Sequence, residues 1–350
     1  MNDFTKSRQT GRFGVGKLPP EHLERLLARA PTGDPRLIVG ARIGEDAAVI
    51  DMGDRYLVAK TDPITFAVEK IGWYAVHINA NDIAVTGADP KWFLATLLLP
   101  EKETDAALAE EIFSDILAAC RELGVTLCGG HTEITHGLDR PIVVGQMLGE
   151  VAKDKLLRKD SLRPGDVIVL TRGVAIEGTA VLAREMGAEL SGKVSEKVLS
   201  AAQGLLFDPG ISVVRAARAA AGYAKAMHDP TEGGILAGLL EMALAARLGM
   251  RVSADQVAIL PETREICSVL GLDPLALLAS GALLIGVSPE EAGRVVESLR
   301  GQGIPAAVVA ELLPASEGHR VHRGGEVKEL KFPERDELAR LFERHSEPRL

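Results

Sequence analysis

The stretch Ala75–Pro90, AVHINANDIAVTGADP, constrains this chain more than any other. Val76, Ile78, Ile83 and Val85 supply apolar surface at helical spacing, and Gly87 and Pro90 supply stop signals. A helix this apolar is expected to be buried, yet Asn79, Asn81 and Asp82 fall in its middle. Asn79 and Asp82 are three apart and share a face. A buried carboxylate without a partner is costly, and no Lys or Arg occurs between Lys70 and Lys91. Either these polar residues form a solvated stripe, or another part of the fold meets Asp82.

Bulk properties narrow the partners. The 350 residues are 46% hydrophobic and 25% charged, enough for a sizeable core and about two domains. Only 4% are aromatic and 36 are Gly, so packing relies on small and aliphatic side chains. A net charge of −9 argues against nucleic acid or an anionic membrane as partner. Phosphates would have to be held locally, by amides, a Lys or a divalent cation. Three cysteines without a C-x-x-C pair point to free thiols in a reducing compartment. With no signal-peptide pattern and no long apolar run, a cytoplasmic location is expected.

The order of elements predicts mixed α/β layers. A basic segment over residues 1–16 reads as flexible. From 17 to 155, a proline-opened helix, a hairpin across MGD, the Asp82 helix, the strand KWFLATLLLP and an amphipathic helix over 104–123 form a first domain. KDSLRPGDVIVLTR reads as a boundary. A second, helix-rich domain follows from 156 to 315, with helices expected over 176–186, 196–205, 211–221, 235–247 and 290–300. Residues 316–350 read as a charged extension with a helix on the surface.

Candidate chemistry sits at the ends of strands and helices. Glu45 and Asp46 precede a strand in IGEDAAVID, and Asp62 closes one in KTDPI. CGGHTEIT carries Gly129, Gly130, His131, Thr132 and Glu133; HDPTEGG carries His228, Asp229, Thr231 and Glu232. Each alone passes for a turn or a helix cap. Together they gather carboxylates near one edge of an α/β layer, where ligands commonly bind. Two carboxylates about 5 Å apart repel by roughly 3 kcal/mol at an effective dielectric of about 20. A shared Mg²⁺ turns that repulsion into coordination and typically bridges substrate phosphates. The glycines at 129–130 and 233–234 would let backbone amides approach those phosphates. No P-loop and no G-x-G-x-x-G dinucleotide fingerprint is present.

The series GEDAAVI, TDP, NDIAVTGADP, GGHTEIT, HDPTEGG and SGALLIGV, in this order from about Gly14 to Leu313, resembles the PurM-type ATP-binding superfamily. That superfamily includes aminoimidazole ribonucleotide (AIR) synthase, the HypE hydrogenase-maturation dehydratase, selenophosphate synthetase and thiamine-monophosphate kinase. The resemblance implies an N-terminal α/β domain that forms a homodimer through its sheet, a C-terminal α+β domain, and Mg–ATP in a cleft near the dimer interface. It implies Asp46, Asp62, Asp82 and Asp229 as metal and phosphate-site carboxylates. Gly16, Lys17, Asn81, Gly129, Gly130, Thr132 and Thr231 would contact the nucleotide. Lys17 would neutralise the transferring phosphoryl group, and His131 and His228 are candidates for acid, base or substrate contact.

NDIAVTGADP and DPTEGG are most similar to HypE, whose reaction uses a C-terminal cysteine; here Pro348 and Arg349 match its Pro-Arg tail, but the last cysteine is Cys267. The expected activity is ATP-dependent activation or phosphorylation of a small-molecule or peptide-borne acceptor. HypE-type maturation with a partner protein, nucleotide-responsive partner binding without catalysis, and a thiamine-monophosphate kinase-like phosphotransferase are the alternatives.

Overall fold

In a computed structural model of the chain, the described residues are 13, 16–30 and 33–346. Most of the segment expected to be flexible, and Pro348 with Arg349, lie outside them. Helix α1 (Pro20–Leu27) opens with proline, whose fixed φ suits a first turn. Strands β1 (Leu37–Val39), β2 (Ala48–Asp51) and β3 (Arg55–Ile64) follow, with β2 and β3 forming the expected hairpin. Helix α2 (Ile71–Ala84), strand β4 (Asp89–Pro100), helix α3 (Ala106–Leu123), strand β5 (Thr126–Thr135) and strand β6 (Ile142–Ala152) complete the first half. Its sheet runs β1-β2-β3-β6-β4-β5, antiparallel except for the β4–β5 pair that α3 connects. Asp105 caps the start of α3 by accepting from Leu108 N at 2.9 Å, and Gly124 ends it at φ 69°.

Helix α2 is the centre of this half. All its residues except Trp73 are buried, and glycines make that approach possible. A Cβ added at Gly145 or Gly149 of β6 would collide with Asn79 or Ile83 of α2, and one at Gly72 would meet the Ile112 carbonyl of α3. Glycine is therefore what lets the helix lie flat on β6 and against α3.

The second half runs β7 (Val167–Thr171), α4 (Ile176–Glu185), α5 (Gly187–Leu190), α6 (Glu196–Gly204), α7 (Val214–Ala220), β8 (Ala226–His228), α8 (Gly234–Ala246), β9 (Gly249–Ser253), α9 (Pro261–Leu270), β10 (Leu284–Val287), α10 (Pro289–Gly301) and β11 (Ala306–Leu313). Strands β12 (His319–Arg323) and β13 (Glu326–Glu329) and helix α11 (Glu337–Ser346) end it. The seven-stranded sheet is ordered β13-β12-β9-β11-β7-β10-β8. Ile235, Leu239 and Met242 of α8 belong to a core with Ile168 and Leu284 of this sheet. Val169 and Ile285, next along the same strands, belong to a core that runs continuously into α2 and the first sheet.

Two expectations for the C-terminal part are corrected. The charged extension contains the β12–β13 hairpin, which continues the second sheet through β9. The terminal helix does not simply lie on the surface: Leu338, Ala339 and Leu341 are buried. Helical spacing collects those apolar residues on one side of an otherwise charged helix. The helix expected from Ile211 begins at Val214, after a turn over 206–213.

Candidate active site

The three polar residues of α2 have three different destinations. Asn79 donates through Nδ2 to the Ala75 carbonyl at 2.8 Å and the Asp62 carbonyl at 3.2 Å, pinning the helix to β3. Asn81 accepts from Val213 N at 2.8 Å and donates to the Ile211 carbonyl at 2.9 Å. Its expected nucleotide contact is thus corrected: both ends of its amide are consumed in joining the two halves. Asp82 alone lines a cleft of about 570 Å³.

That cleft gathers residues far apart in sequence: Gly16, Lys17, Asp46, Asp62, Asp82, His228, Asp229 and Thr231 all line it. Strand β3 supplies Asp62, the loop before β2 supplies Asp46, and β8 delivers His228 and Asp229 immediately before α8. Asp46, His228 and Asp229 each offer a ligand atom within 4.8 Å of the others. Lys17 donates from Nζ to Thr231 Oγ1 at 3.0 Å and from its amide to Glu232 Oε2 at 2.9 Å.

Two lysines partly neutralise the carboxylates, and neither was singled out from the sequence. Lys60 Nζ lies 3.2 Å from Asp82 Oδ1 and 3.5 Å from Asp62 Oδ2. Lys60 is thus the basic side chain, from another part of the fold, that meets Asp82, and the signal was legible. Residues two apart on a strand share a face, so Lys60 accompanies Asp62 in KTDPI. Lys159 Nζ lies 2.6 Å from Asp46 Oδ2 and also contacts the Gly44 carbonyl. It comes from the stretch read as a domain boundary. Glu241 was missed as well, although a lone acid in the apolar helix GILAGLLEMALAA carries the same signal as Asp82.

His228 is buried, with Nδ1 2.6 Å from Asp46 Oδ1 and Nε2 3.0 Å from Glu241 Oε2. Burial works against its charged form, but Asp46 and the hydrogen bonds to both carboxylates outweigh it and raise the pKa. A proton on each nitrogen would let the ring donate to both acids, and the contact with Lys159 at 3.2 Å would then be a crowding of two cations. Its two nitrogens face Asp46 and Glu241, and the ring lines the cleft beside Asp229. Burial opposes the ionised form of Asp46, yet His228 and Lys159 hold it well below the carboxylate range. Asp82 is pushed up to about 7 by burial, against the pull of Lys60. Asp229 is raised well above its ordinary value by burial and by Asp82 and Asp46.

The CGGHTEIT residues are placed elsewhere. Gly129, Gly130, His131 and Thr132 lie exposed on β5, the last strand of the first sheet, and none lines the cleft within one chain. His131 Nε2 instead lies 3.1 Å from Glu133 Oε2, which accepts from Thr135 Oγ1 at 2.9 Å. Their separation from the cleft follows from strand order: β6 and β4 stand between β5 and β3.

The donor set fits a hard divalent cation. Both carboxylate oxygens of Asp229, and Oδ2 of Asp82, are buried without a hydrogen-bond partner. Such groups are strongly disfavoured unless something else meets them. Oxygen-rich sites suit Mg²⁺. Asp46, Asp82 and Asp229 are the residues that would hold such an ion. At the start of α8, the Gly233 amide already donates to Asp336 Oδ2 at 2.7 Å and the Gly234 amide to the Thr231 carbonyl at 3.1 Å. The glycine pair is therefore capped from within the chain.

Comparisons with known proteins place the chain in a family. The N-terminal domain of AIR synthase related proteins matches residues 44–151, and the C-terminal domain of that family matches residues 163–322. Carbamoyl dehydratase HypE of Rhizobium leguminosarum bv. viciae is 31% identical over 281 residues, covering 78% of each chain. A crystal structure of HypE in complex with ATP aligns with a TM-score of 0.69 at 24% identity, covering 93% of this chain and 98% of that one. A HypE–HypF complex aligns with a TM-score of 0.71 at 20% identity, covering 89% and 99%. With both family domains in order along two sheets, the chain belongs to the AIR synthase related proteins and has their PurM-like two-domain fold.

Proposed function

We propose that this protein is an Mg–ATP-dependent enzyme that activates or phosphorylates an oxygen of a small-molecule or peptide-borne acceptor. The observation that carries the reading is Asp229, buried with both carboxylate oxygens unpartnered beside Asp82 in a cleft reached by Lys17. A bound divalent ion would supply charge neutralisation for the nucleotide phosphates. The chain's own contribution is positioning, which dominates phosphoryl-transfer catalysis. Asp46 is held by His228 and Lys159, Asp62 and Asp82 are held by Lys60, and Lys17 at the mouth places an ammonium beside Thr231. None of the three cysteines lines the cleft.

Likeness to HypE and to the HypE–HypF complex supports a maturation-type setting in which a partner protein presents the acceptor. We further infer a homodimer through the first sheet. The exposed edge strand β5 leaves backbone groups unpaired, and such edges attract a second strand. Its residues His131 and Thr132 would then lie at the dimer interface.

The test is a thermal-shift titration with ATP and Mg²⁺, followed by measurement of ADP or AMP and phosphate with candidate acceptors. At a hundred times the dissociation constant, Mg–ATP should add about 2.7 kcal/mol of stability. D82N should lose that gain and all turnover while keeping its fold by circular dichroism. Absence of Mg-dependent stabilisation by ATP would refute nucleotide binding. Binding without turnover for every acceptor would favour a nucleotide-responsive, non-catalytic role.

A further inference from the structure

A second cavity, of about 650 Å³, opens where the two halves meet and shares no lining residue with the cleft. Its aromatic wall is made by Trp73 and His77 of α2 and by Phe207. The Trp73 and His77 ring centroids are 4.5 Å apart, and those of Trp73 and Phe207 are 5.3 Å apart. His77 is 1% exposed, and neither of its ring nitrogens has a hydrogen-bond partner. The indole Nε1 of Trp73 is buried and unpartnered in the same way. Glu122 Oε1, at 3.9 Å from His77 Nε2, is too distant for a hydrogen bond. Burial alone pushes the His77 pKa down to about 3, so the ring is a neutral donor–acceptor. Three buried polar atoms without partners, in two residues that line one cavity, are the kind of exception that calls for an explanation.

Charge gives the ligand its sign. Three arginines line the cavity, against Glu122 as the one acid among the described lining residues, in a chain whose net charge is −9. Arg172 is held in place before any ligand arrives, whereas Arg215 and Arg218 are exposed and Arg218 is already paired with Asp89. Arg172 sits at φ 60°, a strained conformation for a side-chain-bearing residue. Its Nη1 donates to the Gly210 and Ser212 carbonyls at 2.9 and 3.0 Å. Arg215 donates to the Gln302 carbonyl at 2.8 Å, and Arg218 to Asp89 Oδ1 at 3.0 Å. The wall is fixed too, because Asn81 bonds Ile211 and Val213 of the turn that borders it.

We propose that this cavity is a second binding site, for a small planar organic anion. The flat apolar part lies against Trp73 and Phe207. Its carboxylate or phosphate meets the arginine side. A preformed apolar pocket with a few convergent polar groups is the usual form of such a site, and arginines favour carboxylate and phosphate.

Titration calorimetry on the full-length protein tests this with three probes: 2-naphthoate, 1-naphthyl phosphate and the neutral 2-naphthylmethanol. At least one anion should bind saturably, about tenfold or more tighter than the alcohol, and the better anion tells carboxylate from phosphate. The exposed pair R215A/R218A should weaken that binding about tenfold or more while keeping the Mg–ATP thermal shift of the parent. The proposal falls if neither anion binds at about 5 mM, if the alcohol binds equally well, if R215A/R218A binds as the parent does, or if Mg–ATP displaces the probe. Failure of the nucleotide reading would look different: no Mg–ATP shift, with anion binding intact.

Discussion

Replacing Asp229 with Asn changes one carboxyl oxygen to an amide and nothing in shape, yet it should alter stability and ligand response in opposite directions. In the free protein Asp229 has no hydrogen-bond partner for either oxygen and offers a ligand atom within 4.8 Å of one from Asp46. At a pH high enough to ionise the raised Asp229 carboxyl, two unit charges at that separation repel by about 3 kcal/mol at an effective dielectric near 20. Lys60 and Lys159 offset part of this, while the amide of the variant keeps its own cost as an unmet buried polar group. The net effect of D229N is therefore a gain of about 1–3 kcal/mol without ligand. For a chain of this length that is a rise in Tm of about 1–4 °C. With Mg–ATP at about a hundred times its dissociation constant, the parent gains about 2.7 kcal/mol and D229N gains little or nothing. Differential scanning fluorimetry with and without Mg–ATP reads both effects. A variant that is less stable than the parent when free, or that keeps the full Mg–ATP shift, would show that Asp229 is not a site held ready for a cation.

Other outcomes follow from single residues. Glu177 is buried at the start of α4, and burial raises its pKa to about 8 from 4.5. Its contribution is fully present below pH 4.5 and is lost as pH rises through 8, so the parent should weaken across that window. E177Q should flatten that dependence in denaturant melts and be the more stable form near pH 8; an unchanged profile would exclude Glu177 as its source. N81A removes both hydrogen bonds from α2 to the turn at Ile211 and Val213 and strands a buried N–H and a buried carbonyl. It should cost about 2–4 kcal/mol and speed amide exchange at residues 211–213, and a change within about 0.5 kcal/mol would refute its role as the clamp between halves.

Reading from sequence worked where one local rule sufficed. An acid in an apolar helix must face something particular, and that rule identified Asp82 without coordinates. It would have identified Glu241 had it been applied to α8, and strand alternation would have joined Lys60 to Asp62. Motif order along the chain pointed to the two-domain family. The terminal helix was misread because its charge drew attention away from Leu338 and Leu341, which are docked by tertiary packing.

What the chain order alone determined is a set of acids at element ends, on two halves built from small apolar residues, because periodicity and solvation costs act over a few residues. Which acids meet was decided only by the fold. Strand order separates His131 from the cleft, and the return of β8 beside the first half brings Asp229 to Asp46. The same closure seats Lys159 on Asp46, consumes Asn81 at the junction, and buries His77 in the wall of a second cavity. Those pairings depend on contacts between residues more than a hundred positions apart, and no local pattern encodes them.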